Sequence, residues 1–161
     1  MKFAKAIFAC AAIAMTATSA QAACWSAKSA SAAQVREFET MLMVSALRCR
    51  SGSDGFLDDY NRFVRSSRTT LTGVNDDLRA QFGGNSRSAL NRYDSYVTSI
   101  ANRHGAGSAG LDCGDMKKLA RDAVAAKGSR ATLDQLAVRA GADPELPGGR
   151  CRGSVTVATR R

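Results

Sequence analysis

Few residues in this chain have both the type and the placement to do chemistry: one histidine, two glutamates, a glycine-rich run and the cysteines. Glu37 and Glu39 lie beside the apolar face of a helix expected over 32–49, and Glu37 is the better placed for partial burial. A carboxylic acid held out of water, with a second carboxylate or other support across a cleft, is the equipment of a glycan-cleaving enzyme. Glu37 and Glu39 are therefore the candidates for a small envelope hydrolase. His104 extends the apolar stripe of a later helix by one turn. Catalysis through an imidazole needs an orienting carboxylate and a nucleophile or bound water. No local motif supplies either, so His104 is expected as a helix-terminal residue favoured by the dipole.

Gly105-Ala-Gly107-Ser-Ala-Gly110 fits G-x-G-x-x-G, and Asp134 follows at an acceptable distance for a ribose contact. That chemistry needs the glycines at a strand-to-helix turn, where backbone amides approach a pyrophosphate. Here a helix precedes the run and no βαβ unit surrounds it, so a connector is expected. Asp58-Asp59 and Asp76-Asp77 stand near Arg62, Arg65 and Arg79, the spacing of ordinary i,i+3 and i,i+4 surface pairs. None has the spacing of a calcium loop. Met41, Met43 and Met116 read as core filling, with Met43 and Val44 toward the flank of their helix, where a second neighbour or a partner would meet them. No metal and no cofactor is expected.

These residues must be positioned by a chain that starts with a basic Met-Lys-Phe-Ala-Lys, runs apolar from Ala6 to Met15 and reaches Ala20-Gln21-Ala22. That pattern matches a secretory signal peptide cleaved after Ala22, and the apolar run is shorter than the ~20 residues of a membrane span. The expected mature part, 23–161, has 139 residues, enough for one domain. Without Lys2 and Lys5 its net charge is +7, part of it in a tail holding Arg150, Arg152, Arg160 and Arg161. The remaining excess is spread among acids, without the dense basic stripe and stacking aromatics of a nucleic-acid binder.

Cys10 falls in the signal, leaving Cys24, Cys49, Cys113 and Cys151. An even count after an export signal implies two disulfides. Zinc would need closer ligands than four scattered cysteines and one histidine offer, and lipidation of Cys24 would leave three thiols. A helix over 32–49 is about 27 Å long, so a Cys24–Cys49 bond would require a fully extended lead-in doubling back along it. In an up-down bundle Cys49 ends the first helix and the third returns the chain to that end. This favours Cys49 with Cys113 and Cys24 with Cys151.

The first helix carries Val35, Phe38, Leu42, Ala46 and Cys49 on one face, widened by Met41 and Leu47. Trp25 is expected to pack on it from an extended lead-in. Phe56 to Phe82 recur at helical spacing, with a kink or break expected around 69–73 from Thr69-Thr70 and Gly73. Ser53 is the expected cap of that helix. Further helices follow from Ser86, around Met116–Ala126, and over about 130–140, before a Pro/Gly strap. The run Ser154–Ala158 alternates like a strand without a partner.

Cys24-Trp25-Ser26, the run Gln34–Cys49 and Tyr93-Asp94-Ser95-Tyr96-Val97 resemble a family of small exported helical proteins of Gram-negative bacteria with four cysteines. The resemblance covers most of the mature chain and brings no functional motif with it. Similar proteins are sometimes labelled S-adenosyl-L-homocysteine hydrolase, but that enzyme needs a Rossmann domain this chain is too short to hold. The expectation is an all-α, single-domain bundle of about five helices cross-linked by two disulfides. It comprises a signal peptide (1–22), a helical domain (23–149) and a basic tail (150–161) that includes Cys151. The expected role is periplasmic and non-catalytic, binding a protein or serving the envelope. The alternatives are the Glu37 or Glu39 hydrolase, and electrostatic binding of an anionic polymer or membrane surface.

Overall fold

A computed structural model describes residues 24–108 and 110–151. The expected signal peptide and the strand-like run at 154–158 lie outside them. The described residues form six α-helices: α1 (Ala27–Arg48), α2 (Leu57–Ser66), α3 (Arg68–Gln81), α4 (Arg87–His104), α5 (Cys113–Ala125) and α6 (Arg130–Arg139). A short 3₁₀ turn, Cys49–Ser51, follows α1.

The all-α class holds, and α1 is its axis, because every other helix packs against it. That role explains its composition. Ala30, Ala32, Ala33 and Ala46 are fully enclosed together with Val35, Phe38, Met41 and Leu42, so burial wraps the helix instead of following one stripe. Small side chains let several neighbours approach at once. Polar groups caught in this packing bond inward. Thr40 Oγ1 donates to Arg36 O (2.9 Å), Ser31 Oγ to Asp134 Oδ1 of α6 (2.7 Å), and Gln34 Nε2 to Ala142 O (3.1 Å). The helix begins five residues earlier than expected, capped by Ser26 on the Ser29 N–H.

The expected long second helix is two, which raises the count from about five to six. The break falls at Ser67, not at 69–73, and has a packing cause. Gly128, in the α5–α6 turn at φ +75°, lies so close that a Cβ there would sit 3.3 Å from Ser66 O and from Thr70 Oγ1. Thr70 Oγ1 donates to Gly128 O at 2.5 Å. Gly73 remains inside α3 facing open space. Ser53 lies in a turn and caps nothing; α2 starts beyond it, at Leu57.

The two ends are closed differently. At one, Trp25 packs within 5.7 Å of Phe82 and 5.5 Å of Tyr96, ring centre to ring centre, and its Nε1–H donates to Pro147 O at 2.9 Å. The strap pairs back onto it through Trp25 N–H to Gly149 O and Cys151 N–H to Trp25 O, beside the Cys24–Cys151 disulfide. At the other end Cys49–Cys113 joins the foot of α1 to the head of α5. Both expected pairings are present. Among the described residues no helix is long and apolar enough to cross a membrane.

Asp59 ties α2 to α5. It is 5% exposed, ion-paired with Arg62 in its own helix and with Arg121 Nε at 3.3 Å. Burial pushes its carboxyl upward, but the hydrogen bonds and charge of Arg62 and Arg121 outweigh burial and hold it below the ordinary aspartate value. A depressed folded-state value means this contribution is complete above the ordinary carboxylate range and is lost as pH falls through the folded value. Asp59→Asn should therefore narrow the fall in Tm between about pH 7 and about pH 3. An unchanged fall, read by circular dichroism melts, would show that the pair does not contribute to acid sensitivity.

Candidate functional site

Glu37 and His104 are 67 positions apart in sequence, and the fold brings them together. Glu37 sits midway along α1 on the side facing α4, with only 3% of its surface exposed. His104 is the last residue of α4, and its Nε2 lies 2.9 Å from Glu37 Oε1. Arg103 Nη2 donates to the same oxygen at 3.3 Å, while Arg103 Nη1 reaches Glu145 Oε2 of the strap at 3.7 Å. Glu37 Oε2 is buried without a hydrogen-bond partner.

The other imidazole nitrogen is also engaged. His104 Nδ1 lies 3.5 Å from Ser108 Oγ, one turn beyond the helix end. In a neutral ring facing a carboxylate, Nε2 carries the proton and Nδ1 is left as an acceptor. Carboxylate, imidazole and hydroxyl thus form a line from the core to a half-buried loop. Arg48, at the foot of α1, donates from Nη1 to Gly105 O at 2.8 Å. Its guanidinium lies against Gly107, where a Cβ would come within 3.1 Å of Nη1. Gly107 has φ +110°, so glycine suits this position on two counts.

Tyr96 stands nearby on α4 with its hydroxyl buried and unpartnered. Burial first, then the negative charge of Glu37, pushes that phenol far above the usual tyrosine value, against the opposing pull of Arg103. Tyr60, against Glu39, is likewise pushed up to about 12, mainly by burial.

The two glutamates do not converge on one site. Two residues along a helix are rotated by about 200°, so Glu37 and Glu39 face different neighbours. Glu39 is held by Arg36 Nη1 at 2.5 Å. The glycine-rich run forms the α4–α5 connector: Gly105 ends α4 with helical backbone and no strand precedes it. Asp134 lies on α6, bound to Ser31 and Arg130. The aspartate pairs behave unevenly. Asp76–Arg79 is an ordinary i,i+3 pair, whereas Asp77 bridges Lys28 before α1's second turn and Arg130 of α6. Met41 and Met116 are core residues, and Met43 is only half-buried. No group of three or more potential metal ligands occurs among the described residues.

Ser108, Arg103 and Arg48 were not singled out from sequence. Ser108 four residues after the sole histidine was a readable spacing, but nothing in the linear order points from either to Glu37. No protein-family model, curated protein or solved structure matches the chain.

Proposed function

We propose that this is an exported envelope protein whose helical body binds a protein partner. The observation that carries the reading is an apolar strip that the C-terminal half of α1 leaves at the surface. Met43 and Val44 are half-buried and Leu47, one turn on, is 49% exposed. Residues four apart share a helix face, so Met43 and Leu47 place an apolar strip at the surface, whereas the other half-buried positions along the middle of the helix, Ser31, Gln34, Arg36 and Glu39, are polar. Each of Glu37 and Glu39 is paired with an arginine, which supports a binding role over a glycan hydrolase built on either of them. Two disulfides suit an oxidising compartment, and the export pattern of 1–22 agrees with it. The Arg-rich part of the tail lies outside the described residues, and the reading does not depend on it.

A photo-crosslinking side chain at position 47 tests this, with one at the exposed Arg65 on α2 as the control. In envelope extract kept oxidising, position 47 should yield a discrete adduct that position 65 does not. Mass spectrometry of the same material should find the chain beginning at Ala23. Equal adducts at both positions, or none at 47, would overturn the binding surface.

A further inference from the structure

The line from Glu37 through His104 to Ser108 is a site that structural duty alone does not require. A carboxylate with an arginine partner is already paired, and a surface loop needs no buried imidazole to anchor it when a disulfide stands five residues on. The arrangement matches the general form of an activated nucleophile: hydroxyl, base, and a third group that orients the base. We propose that Ser108 is an acyl-accepting nucleophile and that the substrate class is a small carboxylic ester. This goes beyond the binding surface on α1 and does not depend on it.

Each part has a defined role. Glu37, held in place by Arg103 Nη2 at 3.3 Å, fixes the His104 ring through Nε2 at 2.9 Å and leaves Nδ1 facing Ser108. The 3.5 Å separation of Nδ1 from Ser108 Oγ is that of a site without substrate, where such contacts are commonly long. The hydroxyl attacks the ester carbonyl carbon and its proton passes to Nδ1. The carbon–oxygen bond to the alcohol then breaks, and the alcohol departs with that proton, leaving acyl-Ser108. Water attacks the acyl group, gives its proton to the same nitrogen, and releases the carboxylic acid as Ser108 is reprotonated. The sum is ester and water to acid and alcohol, with no oxidant, reductant or metal.

Charge develops on the carbonyl oxygen in both steps. Arg48 is the cation held at this loop, its guanidinium fixed by Gly105 O at 2.8 Å and lying against Gly107, the residue before the nucleophile. A cation held on the loop that carries the nucleophile is the kind of electrostatic support such a step needs. An ester suits the site better than an amide, because an alkoxide leaves far more readily than the nitrogen anion of an amide.

The test uses the full mature chain with both disulfides intact. A fluorophosphonate probe should modify Ser108, located by peptide mass spectrometry, and p-nitrophenyl acetate should be hydrolysed above the rate in buffer. Ser108→Ala, in a half-buried loop position, should abolish the adduct and remove the hydrolysis while leaving Tm unchanged. His104→Gln should slow labelling about a hundredfold. Glu37 is a positioning residue: Glu37→Gln should slow labelling and Glu37→Asp should restore part of the rate. Equal rates in those two variants overturn its role. The proposal as a whole is overturned by an adduct on another residue, by no adduct, or by hydrolysis that survives Ser108→Ala.

Discussion

Replacing Cys49 and Cys113 together by alanine is expected to lower the unfolding free energy by about 4 kcal/mol. The bond closes a loop of 64 residues, and in the chain-entropy account the stabilisation comes from denying the unfolded chain that freedom. The Cys24–Cys151 bond closes a loop of 127. Because the entropy of closure grows with the logarithm of length, doubling the loop adds only about 0.6 kcal/mol. Two double-alanine variants measured by urea unfolding should therefore lose similar amounts, the longer loop slightly more. Their native states should differ, however. The Trp25 end retains an indole locked among Phe82, Tyr96 and Pro147, so its backbone has other ties. The Cys49 end is tied to the 105–111 connector chiefly by the disulfide and by Arg48 on Gly105 O. Amide exchange in that connector should rise in the Cys49/Cys113 variant and stay near wild type in the other. A loss below about 1 kcal/mol in either variant would mean that native packing already holds those ends together in the unfolded ensemble.

Helix existence was legible because apolar spacing and caps are local signals. Ser86 as a cap, the close of α5 before Gly128 and the last helix over 130–140 all follow from residues within a few positions of one another. The disulfide partners were legible for a related reason: helix length limits what a short lead-in can reach. What escaped were the contacts between distant elements that neither a helix length nor a cysteine constrains. The break at Ser67 is caused by Gly128 pressing on the backbone of 66–70 from another helix turn, which no property of Thr69, Thr70 or Gly73 reveals. The apolar stripe of α1 predicts Leu47 inside, and the structure leaves it 49% exposed. A central helix is packed on several sides, so periodicity cannot say which of its apolar residues stays at the surface. Glu37 and His104 were each noticed, and each was read against neighbours in sequence. Their contact spans 67 positions, and it is the contact that turns an acid and a base into one site.

Phe38→Ala is the second large effect and the direct test of α1 as the axis of the fold. The ring is fully buried, lies 6.3 Å from that of Phe63 on α2 at a 54° tilt, and through Phe63 joins Tyr60 at 6.4 Å. Truncation removes the transfer free energy of the ring and leaves a cavity that the surrounding helices can only partly close. The expected cost is about 3–5 kcal/mol. A domain of this size is stable by about 5–15 kcal/mol, so the variant should unfold at markedly lower urea but with an unchanged slope, because the same surface is still exposed on unfolding. Leu47→Ala, on the same helix and of comparable chemistry, should change stability by no more than about 0.5 kcal/mol, since half of that side chain is already in water. The contrast between the two positions carries more than either value. If both variants lose several kcal/mol, Leu47 is covered, which removes the binding strip. If neither does, α1 is not the enclosed axis that holds Glu37 against His104, and the site on α4 loses the scaffold that aligns it.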